Sequence, residues 1–434
     1  MDKQYKTVSK FRLIFLSLQW TIFILAGSVV APLAVGAAFH LPQIETSSLM
    51  QRSFFVMGLG TLIQVFLGHK LQIPEGAAGL WWGVFLIFAG LSSTLKLDAY
   101  DTLRSLEFGL IIGGIMFAVM GTFGIINKIR KLFTPIVTGT YLVLLIAQLS
   151  GAFVKGILGI GYLKPHLDIK VAFLSIITII FTGLLSQSKN SNLKSFSILY
   201  GMIFGWILFA MFGLTKHISY KSIPLFALPK PLVWGNPKFN VSITIVSIIV
   251  SLLLISNLIA SVEVVKKVMN DKEETNYNRL GFLMGINHII AGIFSTIGFV
   301  PVSSSPAFIE TTGIREKKPF IIGSIFILVM GFFPVIAMFF ASIPVPVGYA
   351  TIFIAFAGMI GLALKEYTSV GLSSDNLFII SLSLFIGIGS MFIPKEALEE
   401  LPSYLVSILN NGLIMGVLTC IIIEQVLRKK HKNI

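Results

Sequence analysis

The chain has 434 residues, of which 55% are hydrophobic and 12% are charged, and its mean hydropathy is +0.89. This composition excludes an ordinary soluble domain and indicates a protein that crosses a membrane many times. The net charge of +14 comes from basic residues scattered through short loops, which argues against a nucleic-acid partner. The single cysteine, Cys420, excludes an internal disulfide and a cysteine metal cluster.

The first predicted element is a membrane helix close to the N-terminus. A basic stretch, MDKQYKTVSKFR, precedes an apolar run from Leu13 to Phe39. That run is longer than a signal-peptide core, and no convincing cleavage site follows it. We therefore expect it to be retained as the first span.

Further charge-poor runs predict spans along the rest of the chain, because about 20 residues are needed to cross a bilayer. The predicted helices cover residues 14–36, 50–68, 105–126, 132–153, 169–187, 195–214, 240–265, 280–298, 319–342, 346–364, 376–393 and 403–427. Two shorter stretches, broken by Gly and Pro, are IPEGAAGLWWG (residues 73 to 83) and GFVPVSSSPAFIETTGIR (residues 298 to 315). Counting each of them as a span gives fourteen.

Prolines predict where the longest uncharged runs are interrupted. Pro301 and Pro306, with Gly298, break the run over residues 280 to 309, and Pro344 and Pro346 divide the one over residues 319 to 364. Proline lacks an N–H donor and clashes with the preceding helical turn, so a continuous helix is not expected at these places.

The distribution of basic residues supports fourteen spans with both termini in the cytoplasm. In that topology two thirds of the 33 Lys and Arg residues fall on the cytoplasmic side. The two broken stretches then become spans three and ten. An odd number of spans in each half inverts the second half relative to the first, so the broken stretches meet near the middle of the membrane.

The first broken segment contains Glu75, flanked by Pro74 and followed by small residues. Such segments mark transporter substrate sites, because unwound backbone leaves N–H and C=O groups free to bind. A carboxylate in apolar surroundings is costly to keep charged, and it can hydrogen-bond a polar solute or carry a proton. The structural alternative is a Glu at the cytoplasmic mouth, paired with Lys70. The substrate-binding residues predicted here are Glu75, Gly76, Ala78, Gly79 and Trp81.

Two adjacent tryptophans, Trp81 and Trp82, follow the small residues of the first broken segment. Aromatic residues of membrane proteins usually belong to interfacial belts, and that is the alternative for both. One of the pair, beside broken backbone, can instead stack on a planar ring of a substrate. We assign this role to Trp81.

Three serines, Ser303, Ser304 and Ser305, lie between the prolines of the second broken segment. Because prolines remove donors, the remaining polar groups of this stretch need a cavity, a partner or a ligand. We predict that the serines bind substrate; a serine-rich turn satisfied by neighbouring helices is the alternative. Glu310 is a second candidate for proton coupling beside Glu75, and its alternative is a salt-bridged residue near the cytoplasmic end.

Asn257 is the strongest polar residue of its predicted helix before Glu263. We predict that it binds substrate, with a hydrogen bond to a neighbouring helix as the alternative. The sequence contains no nucleotide-binding loop, metal-ligand set or nucleophile elbow. ATP-driven pumping, enzymatic catalysis and a bound cofactor are therefore not expected.

Four stretches carry a family resemblance. SLQWTIFILAGSVVAPL (residues 17 to 33) is similar to a first span in which Gln is usually followed by His; here Gln19 is kept and Trp20 replaces the His. GAAG (residues 76 to 79) looks like a Gly-Ser-Ser-Phe type sequence of a third span, and VEVVKKV (residues 262 to 268) resembles the end of an eighth. A tenth-span signature aligns with residues 304 to 313, where Thr312 and Gly313 match. Together these stretches resemble the nucleobase-ascorbate transporter family, the nucleobase:cation symporters that include bacterial uracil and xanthine permeases.

The departures from the family pattern concern its carboxylates. Ser304 stands where the tenth-span signature has Glu or Gln, and Ser305 where it has Asn. Leu253 stands where relatives carry a substrate-binding Glu, and Asn257 occupies a second polar position one turn later. Our hypothesis is that Glu75 has replaced these carboxylates as the acidic group in the membrane.

The resemblance implies an all-α polytopic membrane protein of fourteen transmembrane segments, arranged as two inverted repeats of seven with short extended stretches in spans 3 and 10. It also implies a core domain that moves against a gate domain. The core would be formed by residues 13–126 (spans 1–4) and 240–342 (spans 8–11), and the gate by residues 132–214 (spans 5–7) and 346–427 (spans 12–14).

The expected function is import of a nucleobase by proton symport across the inner or plasma membrane, with Na⁺ as the alternative coupling ion. A purine is preferred over uracil, because small Ala78 and Gly79 replace bulkier family residues and suggest a roomier pocket. The family also implies a homodimer formed through the gate domain.

Two other functions remain open at this stage. A uniporter or exchanger of another small solute or an anion would need positive charge at the site, and we find no intramembrane Lys or Arg near either broken segment. A receptor or scaffold that transports nothing would need extramembrane surface, but the longest loop, about residues 215–239, is too short for a domain.

Overall fold

The computed structural model describes residues 10–94, 98–129, 132, 134–190, 193–194, 196–215, 223–398 and 400–432, which are mostly helical. The first half contains α1 (Lys10–Ser28), α2 (Val30–Ala38), α3 (Gln43–Leu67), β1 (Glu75–Ala77), α4 (Gly79–Thr94), α5 (Ala99–Thr122), α6 (Ile126–Ile129), α7 (Pro135–Ile157), α8 (Ile169–Ser186) and α9 (Ser197–Met211). The second half contains α10 (Val241–Met269), α11 (Tyr277–Ile293), β2 (Phe299–Pro301), α12 (Ser305–Thr312), α13 (Lys317–Met330), α14 (Pro334–Ala341), α15 (Val345–Ser369), α16 (Ser374–Met391), a 3₁₀ turn (Lys395–Leu398), α17 (Ser403–Leu409) and α18 (Gly412–Lys432).

About half of these helices have the length and composition of membrane spans. Within the described ranges, eight spans are long and apolar enough to cross a bilayer, with α1 and α2 counted together as one, or nine if the bent pair α13–α14 is also one span. α4 and α12, with 16 and 8 residues, are shorter than the ~20 residues that a span needs. The predicted all-α polytopic class is confirmed, and the count of fourteen spans stays a prediction.

Three predicted helices are interrupted in the structure. The first breaks between Ser28 and Val30. The one predicted at 319–342 divides into α13 and α14, which meet at 91°, because Pro334 cannot continue the preceding hydrogen-bond ladder. The one predicted at 403–427 divides at Asn411, whose side chain accepts a hydrogen bond from the Ile414 N–H and caps α18. The predicted breaks at Pro301, Pro306 and Pro344 are confirmed.

The helices pack in two sets. The first helix set is formed by α1, α3, α5, α10, α11, α13 and α14, and the second by α7, α8, α9, α15, α16 and α18. α4 contacts α5 and α10 of the first set and α7 of the second, so it lies at the boundary. The division of the chain into a core and a gate domain stays a prediction, and so does the motion of one helix set against the other.

A buried ionic network stabilises one end of the first helix set. The guanidinium of Arg52 on α3 donates to the Ser295 carbonyl, with its Nη2 at 3.1 Å, and to the Ser48 hydroxyl at 2.6 Å. Glu107 on α5, which is fully buried, accepts a hydrogen bond from the Ser295 hydroxyl. Arg52 also lies 5.7 Å from the ring centroid of Trp234. Opposite charges are thus held together around one serine, inside the helix packing.

The same network fastens the connection between α9 and α10. The Val233 N–H donates to the Ser295 hydroxyl at 2.9 Å, and the Leu232 N–H donates to the Ile293 carbonyl at 2.7 Å. Farther along, Arg104 Nε donates to the Asn236 carbonyl at 2.8 Å. All these anchors belong to the first helix set. Residues 223–240 are therefore attached to that set, although α9, which precedes them, belongs to the second.

Replacing Arg52 tests how much this network stabilises the protein. Arg52→Leu is expected to lower the free energy of unfolding by about 3 kcal/mol, because it removes the buried opposite charge near Glu107 and leaves only the partly exposed Arg104. The measurement is the thermal midpoint of the purified protein in detergent. Lys170→Leu, at an exposed position of α8, is the control. Equal midpoints for the two variants would contradict the role given to Arg52.

Candidate functional site

The two broken segments meet as an antiparallel strand pair. Glu75 lies opposite Pro301, Gly76 opposite Val300 and Ala77 opposite Phe299. The ladder continues past the strands, since the Ala78 N–H donates to the Gly298 carbonyl at 2.8 Å and the Val302 N–H to the Pro74 carbonyl at 2.9 Å. Backbone that leaves a helix inside a membrane needs partners within the protein, and each segment supplies them to the other.

A short helix follows each strand in the same order. α4 begins at Gly79 directly after β1, and α12 begins at Ser305 after β2. Pro306 occupies the first turn of α12, where its missing N–H costs nothing, and Gly313 ends the helix at φ +70°. The N-terminal turns of both helices leave amides unpaired by the helix itself. The unit of a strand followed by a short helix therefore occurs twice, and the two copies run in opposite directions, as an inverted repeat requires.

Glu75 is fully buried beside this strand pair. Its backbone N–H donates to the Thr61 hydroxyl at 2.9 Å, and that hydroxyl donates to the Met57 carbonyl at 2.7 Å. Among the described residues, neither carboxylate oxygen has a hydrogen-bond partner. Lys70, which the sequence offered as the alternative partner, is exposed. Among the ion pairs of the described residues, none joins Lys70 to Glu75. A charged carboxylate in this position is costly, so a proton or a substrate donor would stabilise it.

Asn257 is linked to the other strand of the pair. The Ser261 hydroxyl lies 3.0 Å from the Pro301 carbonyl and 3.4 Å from Asn257 Oδ1, and with one hydrogen it donates to one of them at a time. The Asn257 side chain also makes hydrogen-bonding contact with the hydroxyl of Tyr141 on α7. Asn257 is therefore connected through Ser261 to Pro301, the residue paired with Glu75, and it also contacts the second helix set.

The three predicted serines differ in their surroundings. Ser303 and Ser304 are exposed, whereas Ser305 is buried and donates its hydroxyl to the Val302 carbonyl at 2.8 Å. For Ser305 this is the structural alternative, a hydroxyl satisfied within its own turn. Glu310 is exposed on α12, in contrast to the buried Glu75.

Trp81 is packed inside the first helix set. Its ring lies 6.1 Å from that of His288 on α11, and a Cβ on Gly298 would overlap it. Gly298 thus lets β2 approach the indole closely. Trp82 faces the other way, toward α7 and α15.

The remaining predicted positions are small residues around β1. Gly76 lies within β1, Ala78 follows that strand, and Gly79 faces Leu145 of α7.

Arg52 and Glu107 were missed by the sequence analysis, and the statement that no basic residue lies in the membrane near a broken segment is wrong. Arg52 donates to Ser295, close to the start of β2. The rule that singled out Glu75 would have found both, since each is an ionisable residue inside a predicted helix. Their proximity could not be predicted from sequence, because the two residues are far apart along the chain.

With this geometry established, comparison with known proteins identifies the family. Residues 11–396 match the permease family Xan_ur_permease. The chain belongs to this family. The predicted membership in the nucleobase-ascorbate transporters is therefore confirmed, and the protein is a membrane transporter, not an enzyme.

Relatives match the permease along nearly its whole length. The "Putative purine permease YwdJ" of Bacillus subtilis (strain 168) is 40% identical over 421 residues, covering 95% of this chain and 96% of that protein. The xanthine permease of the same organism is 23% identical, covering 94% of this chain and 92% of that protein. The uric acid permease PucJ of the same organism is 24% identical, covering 95% of this chain and 92% of that protein.

Solved structures support the fold. The transmembrane domain of the cyanobacterial bicarbonate transporter BicA matches with a TM-score of 0.62 at 14% identity, covering 95% of this chain and 98% of that one. SLC26A9 matches with a TM-score of 0.65 at 13% identity, covering 95% and 65%. At this identity the likeness concerns the architecture alone.

The contact between Gly298 and Trp81 gives a test of the site geometry. Gly298→Ala is expected to lower the unfolding free energy by about 1–3 kcal/mol, because the new methyl group overlaps the indole. Trp81→Phe in the same chain should restore part of the loss. The control is Gly27→Ala, whose Cβ would have no atom within 4 Å.

Thermal unfolding of the purified permease measures these differences. A Gly298→Ala protein as stable as Gly27→Ala would show that β2 does not approach Trp81 in this way.

Proposed function

We propose that this permease imports a nucleobase, with a purine preferred over uracil, by proton symport into the cell. The observation that supports this most directly is the buried carboxylate of Glu75, which has no partner among the described residues and lies beside the strand pair of a nucleobase permease. A base presents N–H and C=O groups along its edge. Glu75, Asn257 and the backbone ends of the two segments complement such groups without a fixed charge.

Proton coupling follows from the cost of burying a charged carboxylate. A protonated Glu75 carries no charge and can cross the membrane in its buried position. When the site opens toward the cytoplasm, water stabilises the charged form and the proton is released. Glu75 would then bind both substrate and proton, which would couple the two binding events as symport requires.

Movement of one helix set against the other would expose the site on alternate sides. The strand pair and Glu75 lie with the first helix set, and α7 and α15 of the second set cover α4. We propose an elevator-like motion along this boundary. The charge distribution of the loops supports cytoplasmic termini, and a homodimer through the second helix set remains part of the proposal.

The purine preference has two supports. The relatives named above are described by purine, xanthine and uric acid, which are all bicyclic. Ala78 and Gly79 leave little side-chain volume at the start of α4, where larger residues would narrow the site. Transport of an anion is less well supported, because Arg52 is held by Ser295 and Ser48 and lies close to Glu107.

Uptake by cells that lack their own permeases tests the function. We expect accumulation of radiolabelled xanthine, hypoxanthine or guanine in preference to uracil, and its loss when a protonophore collapses the proton gradient. An inserted protein that accumulates no base would contradict the proposal. If accumulation depends on Na⁺ and survives the protonophore, the coupling ion is Na⁺ and not the proton.

Glu75→Gln tests the coupling residue. The amide keeps the size of the side chain but cannot release a proton, so we expect accumulation against a gradient to fall at least 10-fold while exchange of internal for external base persists. Glu310→Gln is the matched control, since Glu310 is exposed, and it should retain accumulation. If Glu310→Gln abolishes accumulation and Glu75→Gln does not, the coupling role belongs to Glu310.

A further inference from the structure

Three buried polar side chains, Gln64, His69 and Gln72, lie between the last turn of α3 and the strand pair. Gln64 and Gln72 have no exposed surface, and His69 is 9% exposed. Among the described residues, both amide atoms of Gln64, the Nε2 of His69 and the Oε1 of Gln72 have no hydrogen-bond partner. Buried polar atoms without partners are costly, so these groups favour water or an ion that hydrogen-bonds them.

Thr61 connects Gln64 to Glu75. The Thr61 hydroxyl accepts the backbone N–H of Glu75 at 2.9 Å. Gln64 follows Thr61 by three residues on α3, so the two side chains are neighbours on one face of that helix. The amide oxygen of Gln64 lies against Gly68, where a Cβ would overlap it. Polar groups therefore continue from the buried carboxylate to the end of α3.

Gln72 and His69 continue this series of polar groups to a basic surface. The Gln72 side chain donates from Nε2 to the carbonyl of the exposed Arg315 at 2.7 Å. Burial, and to a lesser extent Lys317 of α13, lower the pKa of His69 to about 3, so the imidazole is neutral. Its Nδ1 accepts the Leu71 N–H at 3.0 Å, and the hydrogen of the ring is therefore on Nε2.

The series is polar but carries no charge of its own. The charged groups next to it, Lys70, Arg315 and Lys317, are exposed. The predicted topology places these basic residues on the cytoplasmic side. Neutral donors and acceptors can thus hydrogen-bond a hydrated proton on its way out without holding it at one place.

The whole series lies with the first helix set. Gln64 is on α3, and the Gln72 side chain is attached to the connection between α12 and α13. It would therefore move together with Glu75 during the proposed transport. Gln64, Gln72 and Glu75 have no exposed surface, so the series is closed to bulk water in this conformation. Closure is needed in part of the cycle, because a permanently open path would let protons leak.

We propose that Gln64, His69 and Gln72 line a polar passage through which the proton of Glu75 leaves for the cytoplasm, separately from the base. The polar passage rests on the proposed proton symport and specifies where the proton goes. The Glu75 carboxylic acid gives its proton to a water molecule, which leaves a carboxylate and a hydrated proton. The three side chains hydrogen-bond the water molecules that pass the proton on, so they are positioning residues.

Two transport rates of the purified protein in proteoliposomes test the polar passage. Net uptake of radiolabelled xanthine driven by a proton gradient requires proton release, whereas exchange of external for internal xanthine does not. Gln64→Leu should lower the rate of net uptake about 10-fold, which corresponds to about 1.4 kcal/mol in the barrier to proton release. The exchange rate and the KM for xanthine should stay unchanged.

Gln51→Leu is the matched control, since Gln51 is also a buried glutamine of α3 but donates to the Ala227 carbonyl near the other end of that helix. It should leave the ratio of net uptake to exchange unchanged. His69→Phe should lower this ratio, and His69→Gln, which keeps a donor at the position, should restore part of it.

Replacing H₂O by D₂O provides a readout that a purely structural role would not change. If proton release limits net uptake in Gln64→Leu, its net uptake should slow more in D₂O than that of the wild type. Exchange by the same variant should show no such difference.

The outcomes separate the polar passage from the function. If the wild type couples xanthine uptake to protons and both Gln64→Leu and His69→Phe keep the wild-type ratio, the polar passage is wrong and the transport proposal stands. An equal fall of both rates in Gln64→Leu, with no added effect of D₂O, would show a structural role and also overturn the passage. If the wild type moves no base, both proposals fail. If Gln64→Leu does not insert, His69→Phe and His69→Gln decide the question.

Discussion

The need to satisfy backbone hydrogen bonds inside a membrane controls this structure. Two segments leave the helical conformation, and each completes the other's hydrogen bonds through an antiparallel pair from Glu75 to Ala77 and Phe299 to Pro301. The pair joins the two halves of the chain. It also determines where α4 and α12 begin, where Glu75 is buried, and which residues of α4 meet the second helix set.

The boundary between the helix sets carries the contacts that would change during transport. Asn257 touches Tyr141 across it, and Trp82 lies against Tyr349. By contrast, the network around Arg52 and Glu107 lies within the first set and fastens the long connection to it. In the proposed mechanism the substrate meets Asn257 at this boundary, whereas the charges of Arg52 and Glu107 offset each other away from it.

Much of the fold could be predicted from sequence, because Gly and Pro interrupt helices for local reasons. The breaks around Pro301 and Pro306, and the burial of an acidic residue next to Pro74, follow from such rules. The strand register could not, since it depends on contacts between residues far apart. Nor could the sequence distinguish Trp81 from Trp82, because their separation depends on the direction in which α4 leaves the strand. Ser305 was expected to be available to a ligand, but its hydroxyl is held by its own turn.

Disulfide cross-linking of the strand pair in native membranes tests the account most directly. In a Cys420→Ser background, Ala77→Cys with Phe299→Cys should cross-link readily, because these positions are directly opposite and between the hydrogen-bonded pairs. Ala77→Cys with Ile297→Cys, two residues out of register, should cross-link much less. A stronger cross-link in the out-of-register pair, or none in either, would contradict the meeting of the two broken segments on which the proposed site depends.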